Sequence, residues 1–273
     1  MEEKLEQILA EVREAGGKVV VLTGAGISAE SGIPTFRGKD GIWVVGSRNY
    51  MPQEMATLEM FERDPAEVWR WYLYRFGVCK DALPNPGHGA LVELERAMED
   101  RFTLVTQNID GLHRRAGSRR VYCIHGDAAY VRCADACGIG VVDLPPGLVP
   151  RGNGPLTAAE RKVLTCPRCG TWLRPHVLWF DEFYDEPNYR MDSALRAAAA
   201  ADLLLVVGTS GATNLPMQIG QLVFKRGAAM IDVNPEENPF AEMAGVSRRG
   251  FFARGSACER LPAIVAALCA EAS

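Results

Sequence analysis

Leu5, Ile8, Leu9 and Val12 recur at the 3.6-residue period and predict an opening helix that ends near Gly16-Gly17. The pattern then changes to the unbroken apolar run "KVVVLTG", which predicts a strand buried on both faces. Three later runs share this character: "FTLVTQN" (102–108), "LLLVVGT" (203–209) and "AAMIDVN" (228–234). Helical patterns such as "HGALVELERAMED" and "DSALRAAAAAD" alternate with them. Strands and helices in alternation predict an α/β fold with a parallel sheet covered on both faces. Ligands bind such sheets beyond the carboxyl ends of the strands. The segments GAGIS, QNID, GTS and Asn234-Pro235 fall there.

Two stretches break the rhythm. Residues 36–87 hold Trp43, Trp69, Trp71 and several prolines, and residues 129–174 hold four cysteines and "LPPGLVPRGNGP". Both read as insertions that together build a smaller module. In the first, Asp64, Pro65 and Glu67 fit the N-cap, N1 and N3 positions of a helix. Tyr72 and Arg75 then lie three apart on one helical face.

The 273 residues allow one large domain or a domain plus a module, and 48% apolar with 23% charged residues implies a packed core. A net charge of −4 argues against non-specific nucleic-acid binding as the main role, because that needs a basic face. Arg114, Arg115, Arg119 and Arg120 form a local basic cluster and read as a solvated turn. No apolar run reaches a membrane-spanning length, and the acidic, amphipathic opening lacks the features of a leader, so a cytoplasmic chain with no membrane partner is expected.

Eight cysteines in that compartment suggest metal ligands or buried thiols. Cys133 and Cys137, then Cys166 and Cys169, form two short-spaced pairs 28 residues apart. Four thiolates at such spacing close a tetrahedral structural zinc site with no open position for substrate. Thr157 and Glu160 fit a capping box before the second pair. Cys79, Cys123, Cys258 and Cys269 read as buried small apolar residues.

"GAGISA" (24–29) fits G-x-G-x-x-A after a strand. Glycines there let the backbone approach a pyrophosphate, although a tight strand-to-helix turn has the same pattern. A hydride-transfer enzyme would place an acidic residue about 20 residues on, at the end of a second strand. Here that region reads "GKDGIWVVGSRN", with Asp40 between glycines. Of the histidines His88, His113, His125 and His176, His125 follows the apolar "VYCI" at a strand end, but spacing alone does not choose a base among them.

"GAGISAESGIPTFRG", "NPGHGALVELE", "TQNIDGLHRRAG", "IHGD", the cysteine pairs, "LRPHVLWF" and "VVGTS" occur in the order seen in sirtuins, over about residues 18 to 265. The chain thus resembles sirtuins, which are NAD-dependent protein-lysine deacylases with a Rossmann-like domain and a small zinc module. The resemblance implies a Rossmann-like domain from 1–35, 88–128 and 175–273. It implies a small module from 36–87 and 129–174 that carries the cofactor loop, a helical insertion and a zinc ribbon. It implies NAD as co-substrate, one structural zinc and acyl-lysine proteins as partners, and it leaves the oligomeric state open, with a monomer plausible. By the same resemblance the acyl-lysine amide oxygen attacks the nicotinamide ribose, and nicotinamide leaves. His125 is the general base and Asn108 positions ribose and water. Asp110 and the Ile109 backbone hold the nicotinamide amide. Gly24, Ala25, Gly26 and Ser28 cradle the pyrophosphate, under a mobile loop containing Phe36 and Arg37. Gln107, Gly208, Thr209, Ser210, Asn234 and Ala257 line the adenosine half.

In sirtuins that remove succinyl, malonyl and glutaryl groups, a Tyr-x-x-Arg pair grips the acyl carboxylate. Tyr72 and Arg75 match that pair and "RPHVLWF" resembles that class, while acetyl and longer acyls stay open. Asp181 stands where the family usually has the Gly of Phe-Gly-Glu, in a loop that pairs with the substrate peptide. "GATNLP" after Ser210 is less apolar than usual, and 46–57 has no assigned family role. The competing readings are a mono-ADP-ribosyltransferase, a non-catalytic zinc-stabilised NAD or ADP-ribose sensor and, weakest, a hydride-transfer enzyme.

Overall fold

The computed structural model describes residues 2–35, 52–150 and 154–270. Phe36, Arg37 and the first part of the 46–57 stretch lie outside the described residues. Nine strands follow one another along the described chain: β1 (Val19–Thr23), β2 (Phe102–Thr106), β3 (Val121–Cys123), β4 (Gly126–Cys133), β5 (Val141–Asp143), β6 (Leu173–Val177), β7 (Leu203–Val207), β8 (Ala229–Asn234) and β9 (Gly250–Arg254). Six of them form a sheet in the order β3-β2-β1-β7-β8-β9, and every pairing in it is parallel. With the other three set aside, this is the 3-2-1-4-5-6 order of a doubly wound sheet. Its topological switch point lies between β1 and β7, where consecutive crossovers turn in opposite directions.

Strand periodicity divides the core. Val19 and Val21 face one apolar layer, which contains Leu9 of the helix Glu2–Glu14, Leu91 of Pro86–Met98 and Leu261 of Ala257–Cys269. Val20 and Leu22 face the opposite layer, with Ala198 of Met191–Ala200, Ile219 of Asn214–Lys225 and Phe240 of Pro239–Val246. Burial on both faces explains why β1 and β7 read as unbroken apolar runs.

The remaining strands form an antiparallel sheet, β5-β4-β6. The helix Pro65–Asp81 packs Trp69, Tyr72, Leu73 and Phe76 into one cluster with Val131 of β4, Leu173 and Val177 of β6, and Trp179. Trp69 Nε1 donates to the Leu173 carbonyl at 2.7 Å. The Asp64 side chain caps that helix by accepting from the Glu67 N–H, and Pro65 stands in its first turn. Among the described residues no helix is long and apolar enough to cross a membrane.

Two expectations need correction. Cys79, Cys123 and Cys258 are only half-buried and Cys269 is exposed, because it ends the last described helix, where one side meets solvent. The basic cluster is exposed, but it is more than a solvated turn. Arg115 donates to the Cys79 and Ala82 carbonyls, and Arg120 donates to the Glu99 carbonyl and pairs with Asp100. These arginines close the carbonyl ends of neighbouring segments.

The loops after β1 and β7 touch backbone to backbone. Gly24 N–H donates to the Val207 carbonyl at 2.9 Å and Gly26 N–H to the Gly208 carbonyl at 2.8 Å. A Cβ on Gly26 would lie 2.6 Å from Gly208 Cα. Gly26→Ala is therefore expected to destabilise the fold by about 1–3 kcal/mol, read as a lowered denaturant midpoint. An unchanged midpoint would show that the two loops separate without cost.

Candidate active site

At the carboxyl end of the sheet, β1, β2 and β7 each release a polar segment. Ser28 Oγ donates to Asp110 Oδ2 at 2.7 Å, and Asn108 Nδ2 lies 3.2 Å from the same Ser28 oxygen. Asp110 Oδ1 accepts the Leu112 N–H at 2.8 Å. Burial raises the Asp110 pKa, and the Leu112 and Ser28 donors oppose that shift. The Ile109 carbonyl accepts the Ala128 N–H, which fixes the QNID turn against β4.

Gln107 ties the strand ends together. Its Nε2 donates to Thr209 Oγ1 at 2.9 Å, and its Oε1 accepts from Thr213 Oγ1 at 2.9 Å. Asn234, at the end of β8, donates to the Thr209 carbonyl at 3.0 Å. Gly208, Thr209 and Ser210 follow β7, and Ala257 opens the helix Ala257–Cys269 behind the capping box of Ser256 and Glu259. Gln107, Asn108, Asp110, Gly208, Thr209 and Asn234 therefore share one end of the sheet with the Gly24–Ser28 loop. These uncharged hydroxyl, amide and backbone groups, with one half-buried carboxyl, suit a dinucleotide held by many hydrogen bonds.

His125 stands between β3 and β4, and its position depends on Gly126. That glycine has φ +86°, and a Cβ there would meet the His176 carbonyl oxygen at 2.0 Å. His125 Nδ1 is 3.1 Å from the Gln107 carbonyl, which can only accept, so Nδ1 carries the proton. Nε2 of the neutral ring then has a free electron pair, and it lies 2.8 Å from Tyr184 Oη. Burial pushes the His125 pKa down to about 4, and the Gln107 carbonyl opposes that shift. The imidazole is thus a neutral base throughout the physiological range.

The other histidines have structural surroundings. His88 completes the capping box of Asn85, and His113 Nε2 is 3.0 Å from Thr23 Oγ1, which also donates to Thr106 Oγ1. His176 stacks on Tyr189, with ring centroids 5.8 Å apart. Burial holds these three at about 4, 3 and 4, with further lowering of His113 by His88 and of His176 by Arg132 and Arg174.

The segment after β6 connects His125 to the small sheet. Leu178 N–H donates to the His125 carbonyl at 3.0 Å. Trp179 Nε1 donates to Tyr72 Oη at 2.8 Å. Glu182 binds Arg174 through two bonds of 2.7 Å and also receives Arg132 at 3.1 Å. Asp181 has a distinct task, because its carboxylate accepts the Leu58 and Glu59 N–H groups at 2.8 and 3.1 Å, at the start of the helix Leu58–Arg63. Arg75 is buried over the Trp71 ring and donates to the Trp71 carbonyl at 2.8 Å. Burial lowers its pKa to about 9. Sequence reasoning missed Thr23, Thr213 and Tyr184, since nothing in their spacing links them to residues 107 or 125.

Cys133, Cys137, Cys166 and Cys169 bring their sulfurs within 4.8 Å of one another. The closest approaches are 3.4 Å for Cys133 with Cys169 and 3.5 Å for Cys137 with Cys166. A tetrahedral ion with Zn–S bonds of about 2.3 Å needs sulfurs about 3.8 Å apart, so the set fits zinc. A closed set of four thiolates makes this a structural site.

The Sir2 family model matches residues 24–214. A protein of Thermus thermophilus named NAD-dependent protein deacylase is 43% identical over 250 residues, covering 90% of each chain. One of the same name from Leptospira interrogans is 38% identical over 261 residues, covering 96% of this chain and 97% of that one. A solved Sir2 homologue–NAD complex shares the fold at a TM-score of 0.79 with 37% identity, covering 98% of this chain and 94% of that one. A mutant Sir2 homologue bound to 2'-O-acetyl ADP ribose gives a TM-score of 0.79 with 38% identity, covering 98% and 96%.

Removing zinc with a strong chelator, or substituting Cys166→Ser, is expected to lower the thermal midpoint and to abolish a one-to-one zinc content measured by elemental analysis. A second expectation concerns pH. All four histidines have folded pKa values below the unfolded value of about 6.5, so the unfolded chain binds more protons and stability falls as pH drops from about 6.5 towards 4. Asp110, Asp127 and Asp232 are raised by burial, Asp232 to about 7, and these three act in the opposite sense to the four histidines. The net outcome is a lower denaturant midpoint at pH 5 than at pH 7.5.

Proposed function

The chain belongs to the Sir2 family, and from that premise we propose which residues carry its reaction and which acyl group it removes. It is an NAD-dependent protein deacylase acting on acylated protein substrates. The observation that supports His125 as the base is its fixed tautomer: Nδ1–H is bound to the Gln107 carbonyl, which leaves Nε2 as the proton acceptor.

When bound, NAD supplies a ribose carbon made electrophilic by its nicotinamide leaving group. The protein's contribution is orientation and proton transfer. Asp110, braced by Ser28 and the Leu112 N–H, holds the carboxamide end, together with the Ile109 backbone. Asn108 positions ribose and water beside it. Gly24, Ala25, Gly26 and Ser28 serve the pyrophosphate, and Gln107, Gly208, Thr209, Ser210, Asn234 and Ala257 the adenosine half. Phe36 and Arg37 belong to the same assignment. His125 Nε2 takes the proton of a ribose hydroxyl. Residues 1–35, 88–128 and 175–273 make up the cofactor domain in this reading, and 36–87 with 129–174 the small module, with acyl-lysine entering between them.

The acyl group is assigned as one that ends in a carboxylate. Tyr72 and Arg75 share a buried face of one helix, and Tyr72 is tied to Trp179, one residue beyond the Leu178 N–H that binds the His125 carbonyl. Charge-assisted bonds from a buried guanidinium and a phenol suit a carboxylate, which would also offset the burial that holds Arg75 at about 9.

Acetyl-, succinyl-, malonyl- and glutaryl-lysine peptides with NAD, read by nicotinamide release, test both assignments. Arg75→Met is expected to reduce kcat/KM on succinyl-lysine about tenfold or more relative to acetyl-lysine, while His125→Tyr abolishes turnover on all four. Equal loss on acetyl and succinyl peptides would remove the carboxylate clamp. A protein-bound ADP-ribose adduct without free lysine would replace deacylation with transfer.

A further inference from the structure

One contact at the site has no part in the reaction as assigned. Tyr184 follows Phe183, whose side chain is 90% exposed, yet Tyr184 itself turns inward and places Oη 2.8 Å from His125 Nε2. The two rings lie 5.8 Å apart between centroids. Nδ1 of His125 donates to the Gln107 carbonyl, so Nε2 is an acceptor and the Tyr184 hydroxyl must be the donor. The Thr213 side chain and the Leu215 backbone, at the start of the helix Asn214–Lys225, lie near the Tyr184 hydroxyl and oppose the burial that raises its pKa. Thr213 donates to Gln107 Oε1, whose own carbonyl holds His125 Nδ1, so Gln107 is shared by the His125–Tyr184 pair and by Thr213.

The rest of the segment is fixed independently of this bond. Glu182 is held by Arg174 and Arg132, and Asp185 caps its own helix by accepting from the Asn188 N–H. Tyr184 is therefore aimed at Nε2 from two anchored flanks. Among the described residues, the imidazole's hydrogen-bonding partners are the Gln107 carbonyl and Tyr184. The atom that Tyr184 occupies is the one a base must use.

We propose that Tyr184 is a positioning residue for His125: its hydroxyl donates to Nε2, holds the ring in the neutral Nδ1–H tautomer, and gives up that atom to the ribose hydroxyl when cofactor binds. This rests on His125 being the base of the deacylation. The exchange is one hydrogen bond for another at Nε2, and Tyr184 keeps its proton. A donor to the neutral ring disfavours its protonation, so loss of that donor raises the histidine pKa.

The test is histidine-edited NMR on the ligand-free full chain, wild type and Tyr184→Phe, with His125→Asn used to assign the resonance. Phenylalanine keeps the ring and its packing, and an unchanged thermal midpoint checks the fold. The His125 pKa is expected to rise by about half to one unit in Tyr184→Phe. The acid limb of kcat/KM for NAD should move up by the same amount, with a lower KM for NAD and a kcat within about threefold of wild type above the limb. In wild type, ADP-ribose should shift the His125 Nε2 resonance and remove the difference between the two proteins. An identical or lowered His125 pKa in Tyr184→Phe would overturn the positioning role, and an Nε2 resonance unmoved by ADP-ribose would overturn the displacement. Nicotinamide release with acyl-lysine peptides is measured alongside. If both proteins release none, the deacylase assignment fails, while the ligand-free titration still decides whether Tyr184 acts on His125.

Discussion

The backbone contact between the loops after β1 and β7 is the constraint on which the site depends. Gly24 and Gly26 bring one loop against Gly208 and Thr209 of the other, at distances that leave no room for a Cβ. The turn at residues 24–28 is thereby fixed to the strand end at 207–209. The side chains of Gln107 and Asn234 then reach Thr209 from β2 and β8, so four strand ends are locked to one another. The polar groups at this end of the sheet inherit the rigidity of the sheet itself. Such preorganisation spares the protein the cost of arranging its dipoles during reaction.

A second hub is the segment from Leu178 to Asp185. It receives an ion pair from the small sheet through Arg174, holds the His125 carbonyl through Leu178, and touches the helix Pro65–Asp81 through Trp179. The proposed base and the proposed acyl clamp are therefore positioned by neighbouring residues of one short segment. The zinc-fitting cysteines support it from the far side. Cys133 ends β4, which pairs with β6, and β6 leads directly into Leu178.

The central strands were legible because burial on both faces makes them continuously apolar, as in Val19–Thr23 and Leu203–Val207. β3 has only three residues, and β9 ends in the exposed Arg254, so neither stands out as such a run. The cysteine spacing revealed a metal-binding set because both pairs are local in sequence. The helix Pro65–Asp81 announced its start through Asp64 and Pro65, whose effects reach only a few residues. The links across the site were not legible. Tyr184 lies 59 residues from His125, and Thr213 lies 106 from Gln107, so only the folded sheet brings them together. The two glycines were read as making room for a ligand. They also make room for protein, since a Cβ on Gly24 would meet Thr209 and one on Gly26 would meet Gly208.

Asp181 carries a consequence for any exchange of parts with relatives. Its carboxylate belongs to the segment after β6, but the amides it satisfies belong to Leu58 and Glu59, more than a hundred positions earlier. Phe180 N–H also bonds the Ala56 carbonyl, so the segment and residues 56–59 form one joint. Grafting in a loop with glycine at position 181 would strip the helix Leu58–Arg63 of two acceptors and leave only Thr57 to cap it. A chimera that transplants the segment after β6 therefore has to carry residues 56–63 with it. In a lineage of such proteins, these two distant stretches would be inherited as a matched pair.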